Sequence, residues 1–95
     1  MPAMDKQHLH TTHPAIIKRL KRAQGHLRSV LGMMEQGREC LDIAQQLHAV
    51  EKAIAQAKQT LIRDHIDHCL ERALSAPVRD QRKSIDEFTE ITKYL

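Results

Sequence analysis

Apolar residues recur every three or four positions along three successive stretches of the chain, which is the pattern of amphipathic helices. Pro14 falls in the first turn of the first stretch, where its missing N–H costs no hydrogen bond. Gly37 is a natural C-terminal stop for that helix, and Pro77 follows the end of the second stretch. The pattern therefore predicts three helices, over about residues 14–36, 39–73 and 79–94.

The second predicted helix is long and carries one apolar stripe without an interrupting Gly or Pro. A helix of this length spans roughly 50 Å, and one short neighbour cannot cover it. We therefore expect partner helices along its whole length, in a dimer at least. The stripe advances in alternating steps of three and four residues through Ala44, Leu47, Val50, Ile54, Ala57 and Leu61.

The composition limits the fold class and the setting of the protein. The chain has 95 residues, with one Phe, one Tyr and no Trp, so its core must be aliphatic, which suits packed helices better than a sheet. We expect an all-α fold, with residues 1–12 as a flexible histidine-containing tail and residues 13–95 as a single helical domain. No apolar run approaches the ~20 residues that span a membrane, and no secretion signal is recognisable. We therefore expect a cytoplasmic protein, whose two cysteines are more typical of reactive or metal-binding thiols than of a disulfide.

Positive charge is concentrated near the start of the first helix. The net charge is only +3, but residues 13–30 contain several basic residues and no acidic one. Such a segment indicates a polyanionic partner. With almost no aromatic side chains for base stacking, duplex DNA held through its phosphates is a better interpretation than single-stranded nucleic acid. The basic residues are Lys18, Arg19, Lys21, Arg22 and Arg28.

Metal-binding residue types extend the apolar stripe of the second helix at both of its ends. His65 and Cys69 are four residues apart, one helical turn, so both side chains project toward the same point. Cys40 lies 25 residues before His65, which places it on the same face but roughly 37 Å away along one straight helix. The three residues can meet if the helix packs antiparallel against its copy, with Cys40 of each chain beside His65 and Cys69 of the other.

Histidines of the tail could complete this site. If the first two helices form a hairpin that turns near Gly37, the tail falls close to residues 65–69, and His8 or His10 could supply a fourth ligand. Two thiolates and one imidazole suit Cu(I), whereas a further nitrogen suits Ni(II), Co(II) or Zn(II). The alternative is that a cysteine on an apolar helix stripe is a small core residue. No paired carboxylates, Ser–His arrangement or phosphate loop indicates an enzyme.

Three stretches of the chain carry motifs. The pattern R-L-x-R-x-x-G-[QH] occurs at the start of RLKRAQGHLRSVLGMMEQGREC (19–40), and a Gln- and Ala-rich core follows in DIAQQLHAVEKAIAQA (42–57). The turn H-x-x-x-C occurs in HIDHC (65–69). In these motifs, and over roughly residues 13–95, the chain resembles the CsoR/RcnR-type family of metal-sensing transcriptional repressors.

The resemblance implies an antiparallel four-helix-bundle dimer of hairpins that pairs into a homotetramer. It also implies that the metal-free form represses by binding double-stranded operator DNA and that the metal effector, Cu(I) or Ni(II)/Co(II), lowers its DNA affinity. The ligands it implies are Cys40, His65 and Cys69, with His8 as the N-terminal histidine of the nickel- and cobalt-sensing branch. The DNA-facing positions it implies are Lys18, Arg19, Lys21, Arg22 and Arg63.

The chain departs from the copper-sensing branch at two supporting positions. In that branch, a Tyr before the first Cys and a Glu in the third helix support the ligand histidine, and here Glu39 and Ile85 stand at the positions that align with them. Pro2 is shared with the formaldehyde-sensing branch, so a formaldehyde-responsive repressor is one alternative. A helical-bundle metal carrier or storage protein that never touches DNA is the other.

Overall fold

The structure, a computed structural model, describes residues 12–95 and consists of three helices there. Helix α1 spans His13–Glu35, helix α2 spans Cys40–Ser75 and helix α3 spans Val78–Thr92. The all-α prediction is confirmed, and each observed end lies within two residues of the predicted one. The predicted tail falls almost entirely on residues 1–11, which lie outside the described residues, as do His8 and His10.

The turn between α1 and α2 is built around Gly37. Its φ of 73° lies in the left-handed region, where a side chain is disfavoured. The N–H of Gly37 donates to the Met34 carbonyl at 3.1 Å, and the N–H of Arg38 donates to the Met33 carbonyl at 3.0 Å. This pair of bonds is a Schellman motif, which satisfies the last carbonyls of α1 and stops the helix.

The break between α2 and α3 is set by Pro77. Pro77 is extended (φ −57°, ψ 152°) and is the residue that precedes α3. Its carbonyl accepts the N–H groups of Asp80 at 2.8 Å and Gln81 at 3.1 Å, which starts the new helix. A proline here cannot continue α2, because it has no N–H to donate.

The chain forms two compact units, and the first comprises Pro14–Lys58. Within it, α1 buries one residue in every seven, and the facing part of α2 does the same. A hydrogen bond of 2.6 Å joins His26 Nε2 to Gln46 Oε1, from one helix to the other. The buried residues of this unit are small or β-branched: Ile16, Ala23, Val30, Val50 and Ala57.

The second unit contains Gln59–Leu95, with the remaining turns of α2 and all of α3. Ile62 and Cys69 of α2 are 2% and 1% exposed, and Ser84 of α3 is 7% exposed. Arg72 of α2 and Glu87 of α3 form an ion pair with Nη2 and Oε2 3.7 Å apart. None of the described helices is long and apolar enough to cross a membrane.

The predicted apolar stripe of α2 divides into a covered row and an uncovered row. Val50 and Ala57 are buried, whereas Leu47 and Ile54 are 43% and 46% exposed in the single chain. Burying the surface that is still exposed on these larger side chains would contribute roughly 1 kcal/mol each. The uncovered row is therefore the expected contact of a second copy, and dimerisation stays a prediction. Further half-exposed apolar residues lie on α1 in the same unit, namely Leu20, Leu27, Leu31 and Met34.

A charge placed in the uncovered row is expected to weaken assembly. Ile54→Glu should raise the dimer dissociation constant at least about a hundredfold, because burying an unpaired carboxylate costs several kcal/mol. Lys52→Gln is the matched control, since it changes the net charge by the same amount at an exposed polar position of the same helix. Sedimentation equilibrium measures both variants, and equal masses for Ile54→Glu and the unchanged chain would contradict the predicted interface.

Candidate metal centre

His65, Cys69 and Glu87 come together in the unit formed by residues 59–95. Their ligand atoms, an imidazole nitrogen, the Cys69 sulfur and a carboxylate oxygen, all lie within 4.8 Å of one another. Cys69 is buried, and the other two residues are partly buried. The structure thus confirms that His65 and Cys69 face the same point, and it adds a carboxylate from α3.

Helix α3 reaches this point because its apolar face packs on α2. A cavity of about 220 Å³ is lined by Cys69 and Ala73 from α2 and by Ser84 and Phe88 from α3. Ser84 is buried and stands three residues before Glu87, so both lie on the side of α3 that is turned toward α2. Packing of the two helices therefore delivers the Glu87 carboxylate beside the turn that holds His65 and Cys69.

The environment of Cys69 favours the neutral thiol. Burial raises the pKa of Cys69 above its usual range, the Arg72 cation acts to lower it, and the Glu87 carboxylate acts to raise it. The thiolate is the form that binds a metal. Metal binding at Cys69 must therefore displace a proton, and competition from that proton weakens as the pH rises.

The donor set fits a transition metal. Thiolate sulfur and imidazole nitrogen are ligands of soft and borderline ions, and a carboxylate oxygen is accepted by Zn(II) as well. Three donors of one chain leave room for a further ligand in a tetrahedral site. His65 and Cys69 would hold the ion, and Glu87 would either bind it or orient the imidazole.

Of the other predicted ligands, Cys40 lies within the described residues and is not part of this group. Cys40 is exposed at the first residue of α2 and does not belong to the cluster found among residues 12–95. His8 lies outside the described residues. His68, which precedes Cys69, faces acidic side chains, with Nε2 3.4 Å from Asp64 Oδ1 and Nδ1 3.8 Å from Glu71 Oε2.

Glu87 is the site residue that the sequence did not reveal. Ile85, predicted to stand at the position of the third-helix glutamate, has no carboxylate, but Glu87, two residues later, supplies one beside His65 and Cys69. Ile85 is 51% exposed and lines the cavity of about 220 Å³ together with Cys69, but it brings no carboxylate to the site. The spacing of Glu87 from Ser84 and Ile91 at helical intervals was the available signal.

The basic residues predicted to face DNA are exposed. Lys18, Arg19, Lys21 and Arg22 lie along the first turns of α1, and Arg63 is exposed on α2. Arg19, Arg22 and His26 also line an open cavity of about 310 Å³ against α2 in the unit of residues 14–58. Within residues 12–95, none of these arginines and lysines is paired with an acidic side chain, so their charge is available to a partner.

Comparison with known proteins identifies the family. Residues 12–94 match the model described as "Metal-sensitive transcriptional repressor". The chain belongs to this family. No solved structure gives a significant match to the repressor chain.

Several curated relatives of this repressor carry copper in their names. It is 34% identical over 82 residues to the copper-sensing transcriptional repressor CsoR of Mycobacterium ulcerans, covering 84% of this chain and 67% of the relative. It is 36% identical over 80 residues to the protein of the same name from Bacillus subtilis, covering 82% of this chain and 79% of the relative. These relatives are repressors, so the expectation that the chain is not an enzyme is confirmed.

The two cysteines of the repressor are expected to differ in reactivity. With iodoacetamide at about pH 7.5, metal-free protein should be alkylated at exposed Cys40 at least about ten times faster than at buried Cys69, whose raised pKa lowers its thiolate fraction. Peptide mass spectrometry follows both sites. In guanidinium chloride the two rates should converge, and equal rates in the folded protein would contradict the described burial of Cys69.

Proposed function

We propose that this repressor responds to Cu(I), binding operator DNA in the metal-free form and releasing it when Cu(I) occupies a site built on His65 and Cys69. The observation that carries the proposal is the buried Cys69 sulfur one helical turn from His65, with both donors directed to one point. The copper-sensing names of the relatives support the choice of metal.

A second subunit is the proposed source of the remaining soft ligand. One thiolate and one imidazole leave a Cu(I) site incomplete, whereas two thiolates and an imidazole suit it. Cys40 is exposed, and the uncovered apolar row of α2 offers a contact for a second copy. In an antiparallel pair, Cys40 of each chain would join His65 and Cys69 of the other, and two such dimers would form a homotetramer.

The basic surface of α1 is the proposed contact with DNA. Lys18, Arg19, Lys21 and Arg22 are exposed and have no acidic partner within residues 12–95, so they would bind phosphates of the duplex. Arg63 would add a contact from α2. The protein would act in the cytoplasm, where the operator DNA is.

The proposal is tested by titrating the operator-bound protein anaerobically with Cu(I), Ni(II), Co(II) and formaldehyde. Cu(I) should lower operator affinity about 5- to 150-fold, the range of a typical allosteric coupling. His65→Ala and Cys40→Ala should abolish the response, because each removes a ligand. His48→Ala is the matched control, since His48 is exposed on the same helix. Release by Ni(II), Co(II) or formaldehyde at lower free concentration than Cu(I) would overturn the choice of effector.

The DNA surface has its own test in the salt dependence of operator binding. Replacing Arg19 and Arg22 by Ala should weaken binding and reduce the slope of log affinity against log salt by about 0.9 for each phosphate that the protein no longer neutralises. Replacing Arg79 and Arg82, two exposed arginines of α3, removes the same charge elsewhere and should leave the slope unchanged. An unchanged slope after replacement of Arg19 and Arg22 would exclude α1 as the contact.

A further inference from the structure

The Glu87 carboxylate has two different neighbours on α2. A carboxylate oxygen of Glu87 lies within 4.8 Å of the ligand atoms of His65 and Cys69. Its Oε2 also lies 3.7 Å from Arg72 Nη2. His65 and Arg72 are seven residues apart, two helical turns, so they occupy the same side of α2 and Glu87 meets both.

The contact between Arg72 and Glu87 is a weak ion pair. A separation of 3.7 Å is longer than a direct hydrogen bond between a guanidinium and a carboxylate, so the attraction is mainly electrostatic. The Arg72 side chain is 48% exposed and that of Glu87 is 35% exposed, so water screens the pair. An attraction of this kind biases the position of the carboxylate and can be overcome by a stronger partner.

Open space on both sides allows the carboxylate to move. Glu87 and His65 line one cavity, of about 440 Å³. Glu87 and Arg72 line another, of about 270 Å³. Since Glu87 lines both cavities, its side chain has open space beside each of its two partners.

We infer that Arg72 is a positioning residue that competes with the metal site for the Glu87 carboxylate, and that Glu87 gives up Arg72 when the His65 and Cys69 donors are loaded. This inference rests on the proposed function and deepens it. Arg72, His65 and Cys69 belong to α2, whereas Glu87 belongs to α3, so the exchange changes how α3 is held on α2. Arg72 thereby sets the metal concentration at which the repressor responds.

The inference is tested by measuring Cu(I) affinity in competition with a chromophoric chelator. Arg72→Gln should tighten Cu(I) binding about two- to fivefold, the range expected for removal of a partly exposed ion pair. The same substitution in a Glu87→Gln background should not tighten it, because no carboxylate remains to be released. Arg72→Lys, which keeps the charge, should stay within about twofold of the unchanged protein.

Two controls separate this effect from a general change of charge. Arg82→Gln breaks the Arg82–Asp86 pair, whose atoms are 3.4 Å apart on α3, and should leave Cu(I) affinity unchanged. The Arg72 cation also acts to lower the pKa of Cys69, so a purely electrostatic role would make Arg72→Gln weaken Cu(I) binding, with Glu87 present or absent. Weaker binding, unchanged binding or an equal effect in both backgrounds overturns the inference.

A measurement on metal-free protein provides a second readout. A double-mutant cycle of Arg72→Gln and Glu87→Gln in urea unfolding should show favourable coupling, a change of about two- to fivefold in the unfolding equilibrium constant. Absence of coupling overturns the inference even where Cu(I) binding is intact. A chain that binds no Cu(I) overturns the proposed function and the inference together, whereas Cu(I) binding that ignores Glu87 overturns the inference alone.

Discussion

The interior of the single chain is small, because many of its aliphatic side chains face outward and are not packed between its own helices. Within residues 12–95, the buried apolar side chains are Ile16, Ala23, Val30, Val50, Ala57, Ile62 and Cys69. Several leucines and isoleucines of similar spacing remain half exposed. One of the few buried positions is occupied by a thiol, so the same packing that stabilises the fold also excludes water from a metal ligand. Cys69 therefore belongs both to the core and to the candidate metal site.

Local features of the sequence were sufficient to predict the helices. Gly37 and Pro77 stop the helices for reasons that involve only neighbouring residues, a left-handed φ in one case and a missing N–H in the other. The convergence of His65 and Cys69 follows in the same way from one turn of a helix. Each of these predictions needed no knowledge of how one helix packs on another.

Glu87 could not be predicted in this way, because its place depends on which side of α3 packs on α2. The resemblance placed Ile85 at the position of the third-helix glutamate, whereas the carboxylate that lies beside His65 and Cys69 belongs to Glu87, two residues later. The division of the α2 stripe into covered and uncovered rows is likewise a property of packing: Leu47 and Val50 look alike in the sequence but differ in exposure. The proposed role of Cys40 depends on assembly, since its proposed partners belong to another chain.

The Gly37 turn has a thermodynamic consequence for Cys40. Only four residues separate the end of α1 from the start of α2, and two hydrogen bonds of the Schellman motif fix the first part of that connection. Cys40 is therefore presented on the first turn of a helix rather than on a loose loop, so its backbone has little conformational entropy left to lose. A metal ligand whose backbone is already ordered loses less entropy on binding, which increases affinity. The glycine that reverses the chain thus also preorganises an exposed thiol.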